Sequence, residues 1–212
     1  LNQAHDEFGM TLTYVTNNAS RSPQRVADHL VQLGLKVSAA DVVTSAQAGA
    51  AELAKLIPQG SRVFVLGSQD LAREVELVGL LASHDDSLTY DGLIQGYWPD
   101  MPWRILDFAA ELLRTGVPWV ATNMDMTIPT PTGVAPGNGS VVQALGQSVN
   151  REPTLVAGKP QTPLMQQSID RTNSKRPLVV GDRLDTDIHG ANNVGVDSLL
   201  VLSGVTTLVE IL

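Results

Sequence analysis

A short apolar run from Pro177 to Val180 ends abruptly at Gly181-Asp182, and two further carboxylates, Asp185 and Asp187, follow within five residues. The segment Ile188 to Val194 then carries helix-forming and small residues. This strand, acidic loop and helix constrain the chain more than any other stretch, because open parallel α/β sheets place ligands just beyond the carboxyl ends of their strands. Carboxylates crowded at such a mouth repel one another unless a cation sits among them. Hard oxygen ligands suit Mg²⁺, which usually takes one or two protein carboxylates plus phosphate oxygens and waters. The plainer reading is a polar loop capping a helix, with Asp187 as the N-cap.

The rest of the chain repeats the same grammar. Met10 to Val15 alternates with β-branched and aromatic residues and predicts a strand. After the polar loop TNNASRSP, Ser22 as N-cap and Pro23 at the first helical position open a helix with Val26, Leu30 and Leu33 on one face, stopped by Gly34. Asp41 to Thr44 predicts a strand and Ala46 to Leu56 a helix; Arg62 to Leu66 predicts a strand and Gln69 to Leu81 a helix. Ala82 to Asp91 is polar and reads as a surface loop, and Leu93 to Gly96 as a short strand. Pro102 to Arg114 is amphipathic through Ile105, Leu106, Ala109, Leu112 and Leu113. Val117 to Thr122 returns to strand character, Thr127 to Asn138 is a Pro- and Gly-rich loop, and Val141 to Val149 a helix. Leu155 to Ala157 is a short strand, Pro163 to Thr172 a helix, Ser198 to Leu202 a last strand, and a helix starts at Thr207. Strands alternating with helices throughout mean a parallel α/β sheet.

Composition narrows the function. The net charge of -8, with no run of Lys and Arg, argues against nucleic acid or an anionic membrane as partner. An anionic substrate must therefore be captured locally, by a few placed cations and backbone amides. The absence of cysteine excludes disulfides, zinc-thiolate sites and thiol catalysis. His5, His29, His84 and His189 show no metal-ligand spacing. No apolar stretch approaches the ~18 residues of a membrane span, so the cytoplasm is the default compartment.

Three strand ends carry distinctive polar groups. Thr16-Asn17-Asn18 offers hydroxyl, amide and backbone N–H donors near a helix start, able to cradle an anion or simply to form an Asx-type turn. Lys159, fixed between Gly158 and Pro160, can neutralise a phosphate oxygen or sit solvated at the surface. Asp182 with Asp187 forms the third. In this order, together with ATNMD (Ala121 to Asp125), PGNGS (Pro136 to Ser140) and GKP, they resemble the haloacid dehalogenase superfamily of phosphatases. The likeness is to its NagD-type branch of p-nitrophenylphosphatase-like and phosphoglycolate-phosphatase-like enzymes.

That resemblance implies a Rossmann-like parallel core over residues 1–44 and 116–212 and an inserted, smaller α/β cap over 45–115, with Trp119 re-entering the core. It implies Mg²⁺ as cofactor and a small phosphorylated metabolite as substrate, with no nucleic acid and no membrane, and a homodimer through the cap. Thr16 would donate its hydroxyl to the phosphoryl group, helped by amides around Asn17 and Asn18. Lys159 would offset charge on the phosphoryl oxygens, Asp182 would ligate the metal, and Asp187 would orient a metal-bound water or the lysine. Such an inventory suits phosphoryl transfer, which needs mainly positioning and charge neutralisation.

The family's first motif, a DxD whose first aspartate forms an aspartyl-phosphate and whose second acts as general acid and base, finds no match among the residues before Thr16. Neither Asp6 nor Glu7 sits at the end of an apolar strand. The expectation is a sequence trimmed at its start, an intact mass above that of these 212 residues, and no turnover by this stretch alone. The alternatives are transfer of the phosphoryl group elsewhere, cleavage of a C–halogen or C–P bond, and a binding or regulatory module without catalysis. A dinucleotide-binding protein is disfavoured because no G-x-G-x-x-G follows the first strand. In the cap, Tyr97, Trp98 and Trp103 are candidates to pack on a leaving group, with core packing the favoured role for Trp103.

Overall fold

The computed structural model describes residues 1–211, with helix α1 (Asn2–Phe8) and strand β1 (Tyr14–Thr16) at the start. There follow α2 (Pro23–Gln32), β2 (Val42–Thr44) and α3 (Ser45–Leu56). The Ser22 hydroxyl caps α2 by accepting from the Arg25 N–H, with Pro23 at the first position. Thr44 and Gln47 close a capping box on α3, each side chain taking the other's backbone N–H. β1 and β2 pair in parallel, Tyr14 opposite Val42 and Thr16 opposite Thr44. The strand expected from Met10 thus begins only at Tyr14, since β2 offers a ladder three residues long.

The chain continues with β3 (Arg62–Leu66), α4 (Gln69–Leu77), β4 (Leu81–Ser83), β5 (Gly92–Gln95), α5 (Trp103–Arg114) and β6 (Trp119–Ala121). An antiparallel hairpin, β7 (Thr127–Thr130) and β8 (Gly133–Pro136), leads into α6 (Asn138–Val149) and β9 (Leu155–Val156). Then come α7 (Thr162–Thr172), β10 (Leu178–Gly181), a π-helical turn (Leu184–Ile188), α8 (His189–Asn193), β11 (Asp197–Leu200) and a 3-10 turn (Leu208–Glu210).

Five strands form one parallel sheet in the order β4-β3-β5-β6-β9. From β3 the chain steps outward through α4 to β4, then returns to the other side of β3 as β5, so the direction of winding reverses between β3 and β5. Ala46, Ala50 and Leu53 of α3 and Leu71 and Val75 of α4 cover one face, against Val63, Val65, Ile94 and Val120. Ile105, Ala109, Leu112 and Leu113 of α5 and Val142 and Leu145 of α6 cover the other, against Phe64, Leu66, Leu93 and Trp119.

This sheet crosses the domain boundary expected between residues 115 and 116. Trp119 pairs with Leu93, and does not join the strands of Tyr14 or Leu178, because α5 is a crossover that returns the chain to the sheet it left. Trp103 also departs from expectation: it is 78% exposed. It lies two positions, about 200° of helical turn, from Ile105, and so faces away from the buried stripe.

α3 is apolar on more than one side because two units share it. Gly49 lets it approach the large sheet, where an added Cβ would lie 3.4 Å from Ile94 Cδ1 and from Thr122 Cγ2. Ala48 packs instead with Val43, Ala157 and Leu164, the small core beneath β1 and β2. β10 and β11 pair in parallel, Leu178 opposite Asp197, with Leu178, Val180 and Leu199 about half exposed. Among the described residues, β1 pairs only with β2 and β10 only with β11.

Candidate active site

The turn after β1 is held by its asparagine side chain. Asn17 Oδ1 accepts from the Lys159 N–H at 2.8 Å, and Asn17 Nδ2 donates to the Lys159 carbonyl and to Asp125 Oδ1, each at 3.0 Å. The Asn17 carbonyl in turn accepts from Ser45 Oγ at 2.6 Å and Asn123 Nδ2 at 2.8 Å. One residue therefore ties the ends of β1, β6 and β9 to the start of α3.

On either side the plainer, turn-forming reading accounts for part of the chemistry. Asn18 Oδ1 accepts from the N–H and the hydroxyl of Ser20, the bonds of an Asx turn. Thr16 Oγ1 accepts from the Asn18 N–H at 3.1 Å, which leaves the threonine O–H to donate elsewhere.

Lys159, just past β9, brings an ammonium into this cluster. Only 13% of its side chain is exposed, against 11% for Asp187, whose Oδ1 receives its ammonium at 2.7 Å. A second ammonium proton goes to the Val15 carbonyl at 3.1 Å. An ammonium has three donors, so one remains unspent beside the Thr16–Asn18 turn.

The acidic loop is less crowded than its sequence implies, because each carboxylate has its own partner. Asp187 sits inside the π-helical turn, and so is not the N-cap of the following helix; its Oδ2 accepts from the Arg183 N–H at 3.2 Å. Gly181 is needed for this fold-back, since a Cβ there would lie 2.3 Å from the Asp187 Cβ. Asp185 turns outward to Arg183, whose guanidinium holds its carboxyl below the ordinary value; Arg183 is raised in return. Asp182 Oδ2 accepts from the Val205 N–H at 2.7 Å, and its backbone carbonyl from Thr206 N–H. Among the described residues no three carboxylates or histidines converge as a ready-made metal cage.

Asn17, Lys159 and Asp187 are thus linked by a continuous run of hydrogen bonds, while Thr16 and Asn18 bond each other and Ser20 in the same turn and join that run only through the backbone. Asp182 follows Gly181, which touches Asp187, but it shares no hydrogen bond with Lys159 or Asp187. Asn123, Asp125 and Ser45 complete the cluster without having been expected in it. The sequence does carry a signal for the first two, since YVTNNAS (Tyr14 to Ser20) and WVATNMD (Trp119 to Asp125) each contain a Thr-Asn pair: the two turns end β1 and β6, and their asparagines meet.

Residues 1–81 match the family model described as haloacid dehalogenase-like hydrolase, and residues 156–212 a second described as HAD-hydrolase-like. The D-glycerol 3-phosphate phosphatase of Mycobacterium tuberculosis is 47% identical over 92% of this chain and 55% of its own length. The chain therefore spans about half of that relative. The acid sugar phosphatase of Staphylococcus saprophyticus is 34% identical over 93% of this chain and 76% of its own. Among solved structures, the mycobacterial glycerol phosphate phosphatase in complex with magnesium superposes with a TM-score of 0.91 at 44% identity, covering 97% of this chain and 63% of that one.

Proposed function

Because the chain belongs to the haloacid dehalogenase-like hydrolase family, we propose that it is a Mg²⁺-dependent phosphatase of small-molecule phosphate monoesters. The observation that carries this reading is Lys159, a largely buried ammonium with a spare proton at the carboxyl ends of parallel strands. In a protein of net charge -8, such a group concentrates positive charge where a phosphoryl dianion can use it. The phosphatase activities of the relatives, sharing 34% to 47% identity, point the same way.

In this reading Lys159 neutralises a phosphoryl oxygen, while Asp187 fixes the ammonium so that little freedom is lost on binding. Thr16 donates its hydroxyl to a second oxygen. Asn17 sets the turn rather than the charge: with Asp125 and Lys159 it locks the loop whose N–H groups face the anion. The donor chemistry at Asp182 fits a magnesium ion, which needs hard oxygen and few protein carboxylates. Val205 orients one carboxylate oxygen and leaves the other without a hydrogen bond among the described residues. A magnesium ion there would supply further charge neutralisation on the phosphoryl oxygens.

These residues bind and neutralise; the attacking carboxylate of an aspartyl-phosphate route is not among them. We place the substrate-selecting cap on the five-stranded unit, residues 62–156, in place of the 45–115 expected from sequence. We also carry forward pairing of two copies through that cap, for which the exposed Trp103 is a suitable contact.

The test is a phosphate-release screen on the full-length gene product, over glycerol phosphates, sugar phosphates, phosphoglycolate and nucleoside monophosphates, with Mg²⁺ or EDTA. Release that needs Mg²⁺ and is lost in Asp182→Asn is expected. Indifference to EDTA, or full activity in Asp182→Asn, overturns the reading. Phosphate binding without release of product would favour a binding module with the same grip.

A further inference from the structure

A pocket of about 290 Å³ opens at the carboxyl ends of β3 and β5, where the winding of the sheet reverses. In open parallel sheets that reversal leaves a crevice, since the crossover helices depart to opposite faces. Leu66, Trp98, Met101 and Val141 make most of its wall apolar. The Trp98 ring is held edge-on against His84, with centroids 5.3 Å apart.

Gln95 also lines this pocket and is only 1% exposed. Its Oε1 accepts from the Trp119 indole N–H at 3.2 Å. Indole nitrogen only donates, so the oxygen must face Trp119 and the orientation of the amide is fixed. Gln95 Nε2 is then left buried without an acceptor. Buried polar atoms are almost always paired, and one left over beside a cavity asks for a ligand atom. A second feature asks for the same kind of atom. α6, twelve residues long, begins at the pocket with Gly137 as N-cap and no side chain capping its first turn, where, among the described residues, the Gly139 N–H alone is taken by a backbone carbonyl outside the helix, that of Asp125.

We propose that this pocket binds a flat, mainly apolar group carrying one hydrogen-bond acceptor, received by Gln95 Nε2. The ring lies against Trp98 and Met101, and the acceptor end is directed at Gln95 and the start of α6. The site is distinct from the Lys159 cluster yet connected to it. Asn138 Nδ2 donates to the Asn123 carbonyl, and Gly137 packs on the Asp125 carbonyl, in the loop whose side chains hold Asn17. The proposal does not depend on the phosphatase reading.

Benzamide and toluene, a ring with and without a carbonyl acceptor, test it on the full chain. The readouts are the Gln95 side-chain amide signals in ¹H–¹⁵N spectra and tryptophan fluorescence. Benzamide should shift the Gln95 amide saturably and bind roughly tenfold more tightly than toluene, the worth of one buried donor regaining its acceptor. Ala135→Phe, which fills the pocket from the β8 side, should abolish binding of both. No saturable shift at millimolar benzamide, equal affinity for toluene, or undiminished binding in Ala135→Phe would each overturn the site. The comparison of the two ligands on the unmodified chain stands even if that variant misfolds. A phenyl phosphate arm separates the sources of such a ring. Joint displacement of Gln95 and Lys159 signals by one equivalent assigns an ester's own organic group; displacement of Lys159 alone assigns a separate small molecule.

Discussion

Replacing Lys159 with methionine isolates the energetics of the cluster. The Lys159–Asp187 pair is almost sealed from water, at 13% and 11% side-chain exposure, with a 2.7 Å contact. Loss of the ammonium leaves the Asp187 carboxylate with the Arg183 N–H as its remaining hydrogen-bond donor among the described residues. Stranding one member of a buried pair costs about 3–5 kcal/mol, because the surviving charge keeps its desolvation penalty and loses its compensation. For a chain of this size that corresponds to a fall in Tm of roughly 6–20 °C. Asp187→Asn should cost a similar amount, since it strands the lysine.

The double variant Lys159→Met with Asp187→Asn removes both charges and keeps an oxygen for the Arg183 N–H. It should be more stable than the sum of the single losses by at least ~2 kcal/mol. Urea unfolding of the four proteins, followed by circular dichroism and tryptophan fluorescence, supplies the cycle. Single losses under ~1 kcal/mol that simply add would match an exposed ion pair. They would refute the picture of Lys159 as a desolvated, pre-aimed cation.

Two further outcomes are open to direct measurement. Glu74, 7% exposed on α4, has its carboxyl pushed above the ordinary 4.5 by burial, with Arg171 opposing. A folded-state pKa raised in this way makes the native state hold the proton more tightly, so stability is greatest below the unfolded value and falls as pH rises through the folded one. Glu74→Gln should therefore gain on the parent protein between pH 4 and pH 7 in parallel urea melts; a constant difference between them refutes the assignment. Gly181→Ala should destabilise by about 1–3 kcal/mol through collision with Asp187 and should disturb the Lys159 environment in NMR spectra; an unperturbed spectrum would show that the π-helical turn tolerates a side chain there.

Elements whose signals are local and redundant were legible from the residues alone. Ser22 and Pro23 start α2 as read, and β3 and the apolar stripe of α5 fall where the pattern places them. The failures have a common physical origin in contacts distant along the chain. β4 is three residues long, too short to show a period, and exists because β3 provides it a partner. Gly79, at φ 79°, ends the preceding helix early and makes room for it. The β7–β8 hairpin carries Pro129 and Pro136, which read as loop; an isolated two-stranded ribbon leaves proline free edges on which to sit. In the site, the order of Thr16, Lys159 and Asp182 was readable as a family pattern. The clamp on Asn17 was not, because Asn123 and Asp125 reach it across 106 and 108 positions.

The double service of α3 has a mechanical consequence. One helix is ceiling to the large sheet and floor to the small core beneath β1, with Ala46, Gly49 and Ala50 against the sheet and Ala48 against the small core. Side chains so short have no slack to stretch, so rotating one unit against the other would open voids along the whole length of the beam. Relative rotation of the two units would therefore give up the contacts of Ala46 and Ala50 with the large sheet or those of Ala48 with the small core.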